Sequence, residues 1–159
     1  MYILVQFLIW TMKQMKYNYN FDCNEYKTPK ELYQKALSYF DINKFSLDVC
    51  CSEPNIPAEN HYYKGQKDGL KEDWSLINWC NPPFNECPVW VKKAYNEQKQ
   101  NKKVALLIPA RTETKYWHDF ILNNKKAKIE FLRKGYRFLD KNNNEMGIFK
   151  NALALVYLY

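Results

Sequence analysis

The sequence predicts an α/β fold, a sandwich of helices around a mostly parallel sheet with an antiparallel C-terminal strand. Short apolar runs alternate with amphipathic stretches, which is the pattern of strands alternating with helices. The 159 residues are 47% hydrophobic and 17% aromatic, which is too apolar for a disordered chain. No internal repeat or Gly/Ser-rich linker divides the chain, so we expect one domain.

The first predicted elements are a helix and a buried strand. Residues 28–40 predict the helix, because Thr28 is a favourable N-cap and Pro29 suits the first helical position. Residues 45–51 (FSLDVCC) form an apolar run with a single acid and predict a buried strand. Residues 52–60 are polar and contain proline, so they predict a loop.

The central part of the chain predicts three strands and a helix. Residues 61–64 and 76–80 predict short strands, and the second of them stops at two prolines. Residues 88–100 predict a helix with a proline in its first turn and Val89 among its apolar contacts. Residues 104–108 form the clearest buried strand of the chain.

The C-terminal part predicts the remaining elements. Residues 115–122 predict a helix, and residues 128–132 and 152–158 predict strands. The polar residues 140–145 predict a turn between hairpin-like segments.

The chain divides into residues 1–20, an apolar extension of uncertain role, and residues 21–159, the predicted domain. Residues 1–12 are apolar, but a bilayer span takes about 20 residues. They have no basic segment before them and no small-residue cleavage site after them, so they make a poor signal peptide. They either add a strand or precede the true initiator, Met12 or Met15.

The cysteines predict neither a disulfide framework nor a metal site. Their number is odd, two are adjacent, and no C-x-x-C pair occurs. His61 and His118 are the only histidines, so a mixed His/Cys metal site is not expected. Reduced, mostly buried thiols in a cytoplasmic protein fit this usage better. The cysteines are Cys23, Cys50, Cys51, Cys80 and Cys87.

The net charge of +7 favours an anionic partner such as nucleic acid. The chain has 24 basic and 17 acidic residues, and arginine occurs only at Arg111, Arg133 and Arg137. A solvated, Lys-rich surface from a compositionally biased genome explains the same excess. We expect a monomer without a membrane partner.

Three unusual segments lie at the carboxyl ends of predicted strands: residues 48–52, 81–84 and 109–112. The carboxyl ends of parallel strands meet at one edge of a sheet, where ligands bind in open α/β folds. The sequence therefore predicts a functional site at this edge.

The segment Asn81-Pro82-Pro83-Phe84 suits an amine substrate. Successive prolines fix φ at about −65° and remove two N–H donors, so the loop exposes carbonyl oxygens. Asn81 adds a side-chain carbonyl, and Phe84 adds a flat apolar ring. Two acceptors beside an aromatic ring suit the exocyclic amine of an adenine flipped out of a duplex. A rigid strand-to-helix turn with a core Phe is the alternative interpretation.

The chain resembles the small, phage-type, Dam-like DNA N6-adenine methyltransferases. N-P-P-F after a strand is similar to the catalytic motif of amino-methyltransferases that use S-adenosylmethionine, and P-A-R-T at 109–112 is typical of this subfamily. The resemblance implies a Rossmann-like methyltransferase fold and the transfer of a methyl group to adenine N6 in DNA. The matching segments are residues 28–32, 47–52, 62–63, 68–74, 79–84, 90–94, 107–118 and 131–138.

The resemblance also implies roles for individual residues. In the catalytic segment, Asn81 and the Pro82 carbonyl would hold the adenine amine, and Phe84 would stack on the base, with Pro83 completing the motif. Arg111 and Arg133 would contact DNA. The residues that would bind S-adenosylmethionine are Thr28, Pro29, Asp48, Cys50, Cys51 and Asp68.

The chain departs from the family pattern at two points. The turn after the first strand is Cys50-Cys51-Ser52, where most methyltransferases have glycines that let the backbone approach the cofactor. No insert is large enough for a separate target-recognition domain, so sequence preference would come from loops such as 133–137 or 141–146.

The same pocket would serve cytosine N4, RNA adenine or a protein Gln, and a non-catalytic DNA-binding relic is a further alternative. The resemblance places the protein in a bacterial cytoplasm, as a host or phage product.

Overall fold

The computed structural model describes residues 26–159. The expected N-terminal extension, residues 1–20, lies outside the described residues. The helices are α1 (Lys30–Phe40), α2 (Cys87–Gln98) and α3 (Lys115–Trp117), which continues as a π-helical turn, His118–Leu122. The strands are β1 (Phe45–Cys51), β2 (Ala58–Tyr63), β3 (Ile77–Cys80), β4 (Lys103–Pro109), β5 (Ala127–Phe131) and β6 (Leu153–Leu158).

The six strands form one sheet in the order β2-β1-β3-β4-β6-β5. The β1/β2, β1/β3 and β3/β4 pairs are parallel, whereas β6 is antiparallel to both of its neighbours, β4 and β5. The predicted mixed α/β class, mostly parallel with an antiparallel C-terminal strand, is confirmed. Because β6 alone is reversed, its start lies beside the carboxyl ends of β4 and β5.

The core lies on both faces of the sheet. Along β4, Val104, Leu106 and Ile108 belong to one buried cluster with α2 and α3. Ala105 and Leu107 belong to the other cluster, with α1. This alternation follows from the two-residue period of a strand. Strands covered on both faces are apolar throughout, which explains why the apolar runs of β4 and β6 predicted them so closely.

Local sequence signals were wrong at three points. Helix α1 begins at Lys30 with Pro29 as its N-cap, so Thr28 is not the cap. The loop predicted for residues 52–60 ends early, because β2 already begins at Ala58. Val89 is 52% exposed and does not reach the core, since it lies on the outer side of α2.

Within residues 26–159 no helix combines the length and apolarity needed to cross a membrane.

Candidate active site

A cavity of about 580 Å³ opens at the carboxyl ends of β1 and β3. It brings together most of the residues to which the sequence assigned catalysis or cofactor binding. Pro29, Pro82 and Phe84 do not line it. The assigned residues that do line it are Thr28, Asp48, Cys50, Cys51, Asp68, Asn81 and Pro83.

Asn81 lies immediately after β3 and presents one unpartnered polar atom. Its Nδ2 donates a hydrogen bond of 3.2 Å to Thr28 Oγ1. Its Oδ1 is buried and accepts no hydrogen bond from any residue in the range 26–159. Buried acceptors are normally paired, so this oxygen is available for a donor that the chain itself does not supply.

The two prolines of the motif differ in what their carbonyls do. The Pro83 carbonyl accepts the N–H of Glu86 at 2.9 Å, closing the 3₁₀ turn Phe84–Glu86. It is therefore not free, contrary to the expectation that both carbonyls stay unclaimed. No backbone N–H of the described chain bonds the Pro82 carbonyl. Pro82 is consequently the motif proline that keeps an acceptor beside Asn81.

Phe84 is half-buried and is held edge-on by two other aromatic rings. Its centroid lies 6.2 Å from that of Phe138 and 5.4 Å from that of Phe149, with interplanar angles of 76° and 72°. Edge-to-face packing of this kind stabilises a defined ring orientation. Both partners come from the segment between β5 and β6, and the sequence analysis gave neither of them a role at the site. Their separation in the chain hides the contact from local patterns.

Asp48 is a buried carboxyl without a counterion. It is 2% exposed, and burial raises its pKa from 3.8 to about 7. The N–H of Cys50 donates to its Oδ1 at 3.3 Å and opposes this shift. None of the ion pairs within residues 26–159 includes Asp48. A cationic group in the cavity would relieve the cost of ionising this carboxyl.

Asp68 lies in a turn that packs directly on the end of β1. Its Oδ1 accepts the N–H of Leu70 at 3.0 Å, and this bond, followed by Lys71, lowers its pKa. A Cβ on Gly69 would lie 2.2 Å from the Val49 carbonyl oxygen. Only glycine allows this approach, so Gly69 helps to place Asp68 at the cavity. Gly69 was not predicted as a site residue, because the tripeptide Asp68-Gly69-Leu70 was its only signal in the sequence.

Cys50 and Cys51 line the cavity as packed thiols. Burial raises the pKa of Cys51 to about 12, and its Sγ donates to the Tyr62 carbonyl at 3.7 Å. A thiol this hard to ionise is a poor nucleophile. Cys50 and Cys51 are both free thiols of intermediate burial.

The two arginines assigned to DNA lie outside the cavity, on the same edge of the sheet. Arg111 follows β4, is exposed, and pairs with Glu113 at 3.3 Å. Arg133 follows β5 and is exposed. No cluster of His, Cys, Asp and Glu in the described part of the chain could hold a metal ion.

Residues 18–158 match the family described as DNA N-6-adenine-methyltransferase (Dam). The chain belongs to this family. It is also 29% identical over 96 residues to the DNA N-6-adenine-methyltransferase of Escherichia phage T1. That match covers 58% of this chain and 38% of the phage T1 protein, so the chain spans well under two-thirds of that relative. The resemblance to phage-type Dam enzymes inferred from the motifs is confirmed.

Proposed function

We propose that this Dam-family protein is an S-adenosylmethionine-dependent DNA adenine N6-methyltransferase. The observation that carries the proposal is the buried Oδ1 of Asn81, an acceptor in the cavity lining without a partner in the described part of the chain. Family membership supports DNA adenine as the target. We further propose that the sheet is a Rossmann-like methyltransferase fold, because its site lies at the carboxyl ends of parallel strands.

The cavity suits S-adenosylmethionine, which carries an ammonium and a sulfonium cation. Asp48 supplies a buried carboxylate that has no counterion among residues 26–159, and Asp68 supplies an exposed one in the same lining. Thr28, Pro29, Cys50 and Cys51 complete the proposed cofactor-binding set. When bound, the cofactor supplies an electrophilic methyl group.

Asn81 and Pro82 prepare the target amine. The exocyclic amine of adenine has two N–H donors, and its lone pair is delocalised into the ring. The Oδ1 of Asn81 and the Pro82 carbonyl would accept these two donors, which turns the lone pair out of conjugation. The amine loses its proton only after it is alkylated, so no strong base is needed beside Asn81. Preorganised acceptors aimed at developing charge are a large source of rate enhancement.

Phe84 and the segment between β5 and β6 form the proposed DNA face. An adenine in a duplex must be flipped out before it reaches Asn81, and Phe84 offers a ring on which it can stack. The segment 132–152 leaves and re-enters the sheet at the edge that carries the site. Its exposed cations suit phosphate contacts, as does Arg111. They are Arg133, Lys134, Arg137, Lys141 and Lys150. We propose that the enzyme acts on DNA in the cytoplasm as a monomer.

The decisive experiment is incubation with labelled S-adenosylmethionine and unmethylated DNA, followed by nucleoside analysis. We expect N6-methyladenine. Asn81→Ala removes the free acceptor and should lower kcat by about 10² to 10³ while cofactor binding stays near that of the parent. Asn81→Asp keeps an accepting oxygen and should retain more activity than Asn81→Ala.

Other outcomes identify the alternatives. Label in N4-methylcytosine, in RNA adenine or in a protein Gln would replace the proposed target. Cofactor binding without any methylated product would indicate a non-catalytic relic. Parental activity in Asn81→Ala would contradict the role assigned to the motif.

A further inference from the structure

The hydrogen bond between Asn81 and Thr28 joins segments that are 53 residues apart in the chain. Thr28 precedes α1 and is 4% exposed, whereas Asn81 follows β3. The bond occupies the nitrogen end of the Asn81 amide. The oxygen end remains buried and unpartnered among residues 26–159.

The backbone on both sides holds Thr28 in place. On one side, Lys27 exchanges two backbone hydrogen bonds with Leu139, of 2.8 and 3.1 Å. On the other side, the Pro29 ring restricts φ, here −56°, and the Pro29 carbonyl accepts the N–H of Leu32 at 3.0 Å. Within residues 26–159, the hydroxyl of Thr28 is engaged by the Asn81 amide. Its position is therefore fixed by its neighbours and its hydroxyl is available to Asn81.

We propose that Thr28 is a positioning residue, whose hydroxyl holds the Asn81 amide with Oδ1 facing the target amine. This inference rests on the proposed function. The terminal torsion of an Asn side chain is broad, so an unanchored amide also samples the flipped orientation. That orientation presents an NH₂ donor to an amine that is itself a donor. In the observed orientation Nδ2 is occupied by Thr28, and the oxygen is the end of the amide that is left for the substrate.

The test compares two substitutions that differ in the hydroxyl. Thr28→Val keeps the shape and loses the hydroxyl, and Thr28→Ser keeps the hydroxyl. We expect Thr28→Val to lower kcat roughly 10-fold, which corresponds to the loss of one hydrogen bond. We expect Thr28→Ser to remain near the parent. Because Thr28 also lines the cofactor cavity, the Kd for S-adenosylmethionine is measured by titration in both variants, and kcat is compared at saturating cofactor. If Thr28→Val does not fold, Thr28→Ala carries the same expectation.

A double-mutant cycle shows whether Thr28 acts through Asn81. In an Asn81→Ala background there is no amide to orient, so adding Thr28→Val should cause no further loss of kcat. An equal loss in both backgrounds would overturn the inference. So would a weaker cofactor Kd with parental kcat, which would make Thr28 a cofactor-binding residue only.

The two proposals fail in different ways. A parent protein that forms no N6-methyladenine contradicts the proposed function. A parent that methylates DNA, together with a Thr28→Val variant that turns over at the parental rate, contradicts only the role of Thr28.

Discussion

The buried carboxyl of Asp48 should make the stability of the free protein fall as pH rises. Burial raises its pKa to about 7, above the ordinary value of 3.8. Between these two values the native state keeps a proton that the unfolded chain has released. Stability therefore decreases with rising pH across this window and levels off above about pH 7. Asp48→Asn removes the titration while keeping the shape of the side chain.

The size of the effect follows from the pKa. The pKa of Asp48 rises from 3.8 to about 7, and a pKa difference of one corresponds to about 1.4 kcal/mol. The buried carboxyl therefore lowers the free energy of unfolding by about 4 kcal/mol at pH 8 and by little at pH 4. For a domain of this size, 1 kcal/mol shifts Tm by roughly 2–4 °C. Asp48→Asn should therefore melt on the order of 10 °C above the parent at pH 8, and this gap should shrink towards pH 5.

Thermal melts without ligand from pH 5 to pH 8 check this expectation. Asp68→Asn is the matched control. The pKa of Asp68 is lowered below 3.8, so its stabilising contribution is complete above that pH and stays constant over the tested range. A gap for Asp48→Asn that is equal at pH 5 and pH 8 would refute the argument.

The cofactor supplies a second measurement on the same carboxyl. If S-adenosylmethionine provides the missing cation, its affinity for the parent should rise as Asp48 ionises, between about pH 6 and pH 8. The ligand should also raise the Tm of the parent by mass action, and Asp48→Asn should lose most of that shift. An affinity that is independent of pH would place the cation elsewhere in the cavity.

Substitutions of Phe84 test stacking on the target base, and substitutions of Gly69 test the packing of the loop that carries Asp68. Phe84→Ala should lower N6-methyladenine formation about 10- to 100-fold, because stacking a base is worth about 1–3 kcal/mol, while Phe84→Tyr should be mild. Phe131→Ala, at an exposed aromatic of β5, is the control, and equal losses would contradict the role of Phe84. Gly69→Ala should lower the free energy of unfolding by about 1–3 kcal/mol, seen as a lower Tm, because its Cβ would lie 2.2 Å from the Val49 carbonyl oxygen. Gly147→Ala, with no atom within 4 Å of the added Cβ, should melt like the parent, and equal Tm values for the two variants would contradict the packing argument.

The sequence predicted strands best where burial is complete. The bounds predicted for β1, residues 45–51, match the observed strand, and the run 104–108 lies inside β4. The start of β2 was missed because Glu59 and Asn60 are polar and exposed on an edge strand. Pairing of Ala58 with Phe45 of β1 defines it, and a single strand's composition does not show that contact.

The location of the site could be predicted from the sequence, but the contacts within it could not. Asp48 in the second half of β1 and Asn81 directly after β3 were enough to locate the cavity, because parallel strands bring their carboxyl ends together. Thr28 was assigned as a helix cap because local propensity favours Thr before Pro. Its bond to Asn81 is long-range and outweighs that preference. The same holds for Phe84, whose two aromatic partners lie on a distant segment.

The turn after β1 contains no glycine, but a glycine is needed in another loop that packs on the same strand. Most methyltransferases have glycine in that turn, and here it is Cys50-Cys51-Ser52. A second loop packs on the same strand, where a Cβ on Gly69 would lie 2.2 Å from the Val49 carbonyl oxygen. The indole N–H of Trp74 donates to the Gly69 carbonyl at 2.6 Å and holds that loop in place. Because this close contact joins two separate segments of the chain, the sequence of the turn after β1 does not reveal it.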